Sequence, residues 1–412
     1  MTVNTLGRGV RTGAESARYQ MLLVALLSLN FGIVFFDRNA LSFLMPFIQP
    51  ELGLTNTQVG MLASALSLTW ALAAFAMGKL SDVTGKRKLL LVLSTLAFCA
   101  CSFLSGIAGS FLALLAARLL MGVAEGGVMP ISHALVADEV TPERRGLAQG
   151  IAQNFGSNLL GSFVAPVLLV AFAAALGWRS AFFLAGIPGL ISAALIWFCL
   201  HEPARAPKAV REAEIRYSMG DALKERNILI CVVMAVLLVS YLVTCWAFMP
   251  LYLTQVRHVS ADAMGWLMGT LGISATIGSF AIAGLSDRIG RRPVMIAMPL
   301  IGLVLPLGAL FFGGSLWGLA VFFFVGWGVN GIFPLFMATV PSESVDPRHA
   351  ATVLGLCMGA GEVLGGVLAP SLSGYAADRL GLQAPLWIMV GLTLVAGIVA
   401  TGLRETAPSK RR

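Results

Sequence analysis

Two neighbouring residues of opposite charge, Asp37 and Arg38, stand in the stretch NFGIVFFDRNALSFLMP (Asn30–Pro46), inside an apolar run from Met21 to Phe47. An ionised side chain at the centre of a membrane helix costs roughly 2.5–3.5 kcal/mol on insertion scales, so such residues are kept there facing an internal cavity, with partners. A second pair lies in RLLMGVAEGGVMPISHA, where Arg118, Glu125 and Ser132 are seven apart and share one helix face. Two acids and two arginines, with no other ionisable residue at depth in this part of the chain, suit a proton site beside an anion site. The alternative is structural: ion pairs that pin helices, with Glu125 permanently bound to Arg118 or Arg38.

The elements that must carry these residues are membrane helices. The 412-residue chain is 58% hydrophobic and 12% charged, with a mean hydropathy of +0.85, and soluble domains carry about twice that charge. Twelve apolar runs give helix cores near 20–46, 57–78, 89–109, 111–137, 147–175, 180–200, 228–254, 263–285, 294–313, 315–340, 350–376 and 384–403. The fold class expected is all-α and polytopic. An even count puts both termini on one side, and 23 of the 28 Lys and Arg lie on it, against Arg179, Arg257 and Arg379 opposite. Positive charge collects in the cytoplasm, so the termini are expected there. The net charge of +8 is then a topology signal and calls for no nucleic acid. The first apolar run is too long for a cleavable signal. The six cysteines lie in apolar segments without metal-ligand or CxxC spacing, and the four histidines form no metal set. No Walker loop, nucleophile elbow or zinc spacing appears, so an enzyme, a cofactor and a metal are not expected.

Sliding the chain on itself by 205 residues sets Gly60 on Gly265, Ser81-Asp82 on Ser286-Asp287, Pro142 on Pro347 and Gly161 on Gly366. The chain therefore reads as a duplicated six-helix unit: 1–200, a cytoplasmic linker 201–226, and 227–412. Two pseudo-symmetric six-helix bundles around a midplane site suit alternating access. The loop GKLSDVTGKRK (Gly78–Lys88) repeats as AGLSDRIGRRP (Ala283–Pro293). In it Asp82 with Arg87, and Asp287 with Arg291, are candidate conformational latches, the acids accepting from helix N-termini or pairing with a basic partner.

This loop resembles the signature between the second and third helices of the major facilitator superfamily, and its echo between the eighth and ninth; Ala283 stands where the pattern has glycine. The resemblance covers the whole chain. Three segments resemble the anion:cation symporter branch: the Asp37-Arg38 helix followed by Leu41-Ser42, the Glu125–Pro130 segment, and SYLVTCWAFMPLYL (Ser240–Leu253). That branch moves organic anions, usually carboxylates, with protons. The resemblance implies that Arg38 contacts the substrate carboxylate, that Asp37 and Glu125 carry protons, and that Gln153 bonds substrate. Trp70, Tyr241, Trp246, Asn330 and Glu362 complete the candidate substrate site. Tyr241 and Asn330 are open to an interhelical bond instead. Sugar-acid members tend to have Tyr and Gln where Trp70 and Ala74 stand, and Asn where Glu362 stands. Fewer hydroxyl partners favour a carboxylate less hydroxylated than a sugar acid. Glu362 is unusual beside an anion site, either as a protonated member of it or as the mark of another substrate.

The expectation is a proton-coupled symporter of a small organic anion, monomeric, in a bacterial cytoplasmic (inner) membrane. Its partners would be that anion, protons and the lipid bilayer. The rival is a proton-driven exporter of an amphiphilic or drug-like compound, favoured by Trp70, Phe36, Phe43, Trp246 and Glu362. A ligand sensor without transport would need an added soluble domain.

Overall fold

The computed structural model describes residues 13–203, 219–346, 349–407 and 410. Of the linker expected at 201–226, residues 204–218 lie outside the described residues.

The apolar runs fold into eleven helices long and apolar enough to cross a membrane. They are α1 (Ala17–Leu52), α2 (Asn56–Thr84), α3 (Arg87–Gly106), α4 (Phe111–Glu139), α5 (Leu147–Leu176), α6 (Trp178–Cys199), α7 (Arg226–Val256), α8 (Ala261–Ile289), α9 (Arg291–Phe311), α10 (Leu316–Ser344) and α11 (Thr352–Leu380). A shorter apolar helix, α12 (Ala384–Ala400), completes the expected twelve. There is no strand among the described residues. Helix is the form that satisfies every backbone group within one segment, as hydrocarbon requires. Outward-facing rings such as Phe75, Phe198 and Trp317 are about four-fifths exposed, which suits lipid and not water. The helices alternate in direction. The side that holds the start of α1 and the end of α12 is the terminal face, and the other is the distal face.

Several helices are locally unwound. α4 breaks at Gly127, so Ser132 follows on a second piece of helix and not on one continuous face with Arg118 and Glu125. α5 and α11 each contain an eight-residue stretch of wide, π-type turns, Ser157–Val164 and Gly361–Leu368. Glycine is required beside these stretches, because a Cβ on Gly156 would fall inside the Ser28 carbonyl oxygen of α1.

The two six-helix halves meet along α2 with α11, α5 with α8, and α1 with α7. The ring of Phe43 (α1) stands edge-on to Trp246 (α7) at 5.5 Å between centroids. Every hydrogen bond between the halves among the described residues lies on the distal side. Asp378 of α11 accepts from the backbone N–H of Asn56 and of Thr57 at 2.8 Å, and from the Thr57 hydroxyl at 2.5 Å. Gln255 Nε2 donates to Gln49 at 2.8 Å, and the Ser64 and Ser371 hydroxyls are 2.8 Å apart. Among the described residues no such bond is seen between the halves at the terminal face.

Candidate functional site

Asp37 and Arg38 follow one another in α1, so about 100° of helix rotation separates their side chains. Asp37 points into the first half and is fully buried. Its Oδ1 lies 2.6 Å from the Ser102 hydroxyl of α3, and its Oδ2 has no partner. The same Ser102 hydroxyl lies 2.9 Å from the Phe182 carbonyl oxygen of α6. One hydroxyl proton faces two acceptors.

Arg38 points the other way, towards the junction of the halves, and keeps 18% side-chain exposure. Its guanidinium carbon lies 5.3 Å from the Trp70 ring centroid of α2 and 5.6 Å from that of Phe35. Its Nη1 is 3.9 Å from Glu125 Oε2 of α4, an ion pair at the long end of the range. From the other half, Glu362 of α11 lies within the electrostatic reach of Arg38. A Cβ on Gly366 would lie 3.3 Å from Glu362 Oε2 and 3.4 Å from the Ser67 hydroxyl of α2, so acid and hydroxyl converge at the seam.

Arg118 of α4 is fully buried, donates from Nη2 to the Ser105 hydroxyl at 2.8 Å, and lies 5.6 Å from the Phe182 ring centroid. Its Nε and Nη1 have no partner, and neither do the two carboxylate oxygens of Glu125 by hydrogen bond. Among the described residues Arg118 forms no ion pair within 4.0 Å. The acids and arginines are thus close enough to act on one another's charge and too far apart to be mutually saturated.

The structure brings Asp37, Arg38, Glu125, Trp70 and Glu362 into this region, with Trp246 beside Phe43 at the seam. Three residues expected with them stand apart. The Tyr241 hydroxyl donates to the Gly302 carbonyl at 3.0 Å, and its ring is fully buried against Trp327. The Asn330 amide donates to Trp327 O of its own helix at 3.1 Å. The Gln153 amide faces Met129 Sδ at 3.9 Å, one turn beyond Glu125, on a π-type turn of α5.

The repeated loops each hold an arginine between two acids. Arg87 pairs with Asp82 at 3.5 Å and with Asp138 of α4, and donates to Ala134 O at 2.8 Å. Arg291 pairs with Asp287 at 2.5 Å and with Glu343 of α10 at 3.0 Å. Asp138 and Glu343 went unnoticed, although they are 205 residues apart and fall on one another under the repeat. The motif acids take the arginine, and other carboxylates take the helix starts. Glu202 accepts from the N–H of Lys88 at 2.8 Å, and Glu405 from those of Arg291 and Arg292 at 2.8 and 3.1 Å. Burial alone would raise the Glu405 carboxyl, but four backbone N–H donors (Ala407, Arg291, Arg292 and Thr406) hold it below its usual range. Ser102 and Asp378 also escaped notice; no sequence signal marks a lone serine or a surface aspartate for such a partner.

A family model described as Major Facilitator Superfamily matches residues 27–356 and 228–412. The chain is 28% identical over 406 residues to a probable sulfoacetate transporter of Cupriavidus necator, covering 92% of each. It is 29% identical over 379 residues to a probable 4-methylmuconolactone transporter of Cupriavidus pinatubonensis, covering 87% of this chain and 86% of that one. Among solved structures, a bacterial homologue of the human lysosomal transporter Spinster, described as inward-facing and unoccupied, superposes with a TM-score of 0.77 at 19% identity, covering 93% of this chain and 96% of that one.

Proposed function

The chain is a transporter that belongs to the major facilitator superfamily, and from that premise we propose that it carries a small organic anion together with protons by alternating access. Arg38 receives the anionic group, Trp70 and Trp246 line it with apolar surface, and Asp37 and Glu125 hold the protons. The observation that carries this reading is the split of the couplet. Arg38 faces the seam with partial exposure, while Asp37, next in the chain, is sealed behind it.

Two unit charges about 4 Å apart in a surrounding of effective dielectric near 20 attract by on the order of 4 kcal/mol, or about three decades in affinity. With Glu125 ionised at 3.9 Å, an anion approaching Arg38 must compete with that attraction. Protonating Glu125 removes the competitor, and the substrate carboxylate takes its place. Protonated Asp37 can donate to Ser102, which then donates to Phe182 O; ionised Asp37 takes the Ser102 proton for itself. The proton on Asp37 thereby changes a bond between α3 and α6 as well as the charge facing Arg118. A carboxylate with few hydroxyls suits this reading, since the Trp70 indole and the Phe35 ring flank Arg38 where hydroxyl partners would be needed. The excess of Lys and Arg argues for a cytoplasmic terminal face, and the distal bonds then hold the halves together on the opposite side.

Proteoliposome uptake of radiolabelled sulfoacetate and of an aromatic carboxylate such as benzoate, with and without an imposed pH gradient, tests the reading. Wild type responds to the gradient, Arg38→Ala abolishes uptake of both, and Asp37→Asn loses the response. Full pH-driven uptake by Asp37→Asn refutes the proton role. Glu362 favours a second reading, export of an amphiphilic cation: Arg38→Ala would then be tolerated and Glu362→Gln would not.

A further inference from the structure

Among the described residues, every buried side-chain nitrogen or oxygen that lacks a hydrogen-bond partner belongs to the first half. Some are in the acid and arginine cluster. The others are Asn30 Nδ2, Ser81 Oγ, Ser94 Oγ, Ser132 Oγ and His133 Nε2. The described residues of the second half have none.

These five atoms share a direction. Asn30 lies seven residues before Asp37 in α1, Ser94 eight before Ser102 in α3, and Ser132 seven after Glu125 in α4. Given the helix directions, all three displacements run towards the terminal face, by about 10–12 Å at 1.5 Å per residue. Asn30 and Ser132 lie about two turns from Asp37 and Glu125, and Ser94 lies higher, beside Gly127 just past Glu125. Ser94 and α4 are in close contact there, since a Cβ on Gly127 would lie 2.9 Å from Ser94 Oγ. Asn30 spends its oxygen on the Ser192 and Thr95 hydroxyls, at 2.8 and 3.3 Å, and keeps its amide hydrogens free. Ser81 ends the series at the foot of α2, beside Asp82 of the repeated loop.

A buried polar atom without a partner is costly, and the usual remedy is a water that bonds two to four such groups. Asp37 is fully buried, so its proton has no direct passage into the seam between the halves. We propose that protons travel between the acids and the terminal face through a chain of water held inside the first half by Asn30, Ser94, Ser132 and His133. With about 2.8 Å between hydrogen-bonded oxygens, three or four waters span the two turns from the acids to Asn30 and Ser132. Substrate and proton then use different routes: the anion moves between the halves, the proton within one of them. The charged groups that face this route are Asp37 from α1 and Arg118 and Glu125 from α4. His133 is the titratable group along it, with the Gln153 side chain of α5 beside it. The proposal rests on the proton-coupled reading of the site.

The test needs no substrate. Purified protein in nanodiscs receives a proton pulse from a photolysed caged acid, and time-resolved infrared absorption follows the protonated carboxyl band that Asp37→Asn removes. The double variant Ser94→Val, Ser132→Val removes two water-binding hydroxyls and fills their space. The band should then appear about 5–150-fold more slowly, the factor corresponding to one polar contact left unmade, while Ser132→Thr, which keeps the hydroxyl, stays near wild type. An unchanged rate in a double variant that still shows the band overturns the internal route and leaves the coupling reading intact. A wild-type protein with no carboxyl band that Asp37→Asn removes overturns the coupling reading itself, and the route with it. Should the double variant fail to fold, Ser132→Ala is read in its place, with slowing expected and an unchanged rate again decisive against the route.

Discussion

Removing Asp378 should open the distal face. Its carboxylate accepts from the first two backbone N–H groups of α2, at Asn56 and Thr57, and from the Thr57 hydroxyl. The third N–H, of Gln58, is taken within α2's own half by the Thr55 hydroxyl in a capping box. The helix start is therefore capped partly by its own loop and partly by the opposite half. Losing an N-cap acceptor costs about 0.5–2 kcal/mol. Asp378 is exposed, so screening keeps its charge from adding much to that figure. These bonds exist only while the halves touch distally, so the whole loss falls on the distally closed state. Asp378→Ala should thus raise the ratio of distally open to distally closed molecules by about 2–30-fold. Asp378→Asn, which keeps an acceptor oxygen, should fall between Ala and wild type. Spin labels at Gly53 and Leu380, in a background without the six native cysteines, report the distal distance by double electron–electron resonance. A distance distribution identical in wild type and Asp378→Ala would refute the reasoning, because it would mean that the cap contributes nothing to closure.

Two further outcomes follow from close contacts at the ends of the bundle. Gly60→Ala drives a Cβ into the Pro370 carbonyl of α11, an overpacking worth about 1–3 kcal/mol, and should open the distal face in the same label assay while leaving the terminal ends of α2 and α11 no closer than the rocking requires. Glu405 has its carboxyl held below the usual range in the folded protein, so its contribution to stability is present above the ordinary glutamate value and is lost as pH falls through the lowered one. Glu405→Gln should therefore unfold at a lower temperature than wild type near neutral pH, with the gap narrowing on acidification; a gap that is constant with pH would refute this role.

The sequence by itself determined the membrane class, the twelve helices and the duplication. Hydropathy and the 205-residue repeat are properties of short windows and need no knowledge of neighbours. It also singled out Asp37, Arg38, Glu125 and Arg118, because charge is rare in apolar helices and each instance stands out. Tertiary structure alone decided the partners. Whether Tyr241 reaches the seam or the Gly302 carbonyl depends on how α7 is rotated. Ser102 looks like any other membrane serine until α1 and α6 are packed on either side of it. Asp378 gains its role only when α11 is laid against the start of α2. Helix formation is local and cooperative, so its signal is written in consecutive residues. The facing of one helix upon another is fixed by shape across the whole bundle, and no short stretch of chain carries it.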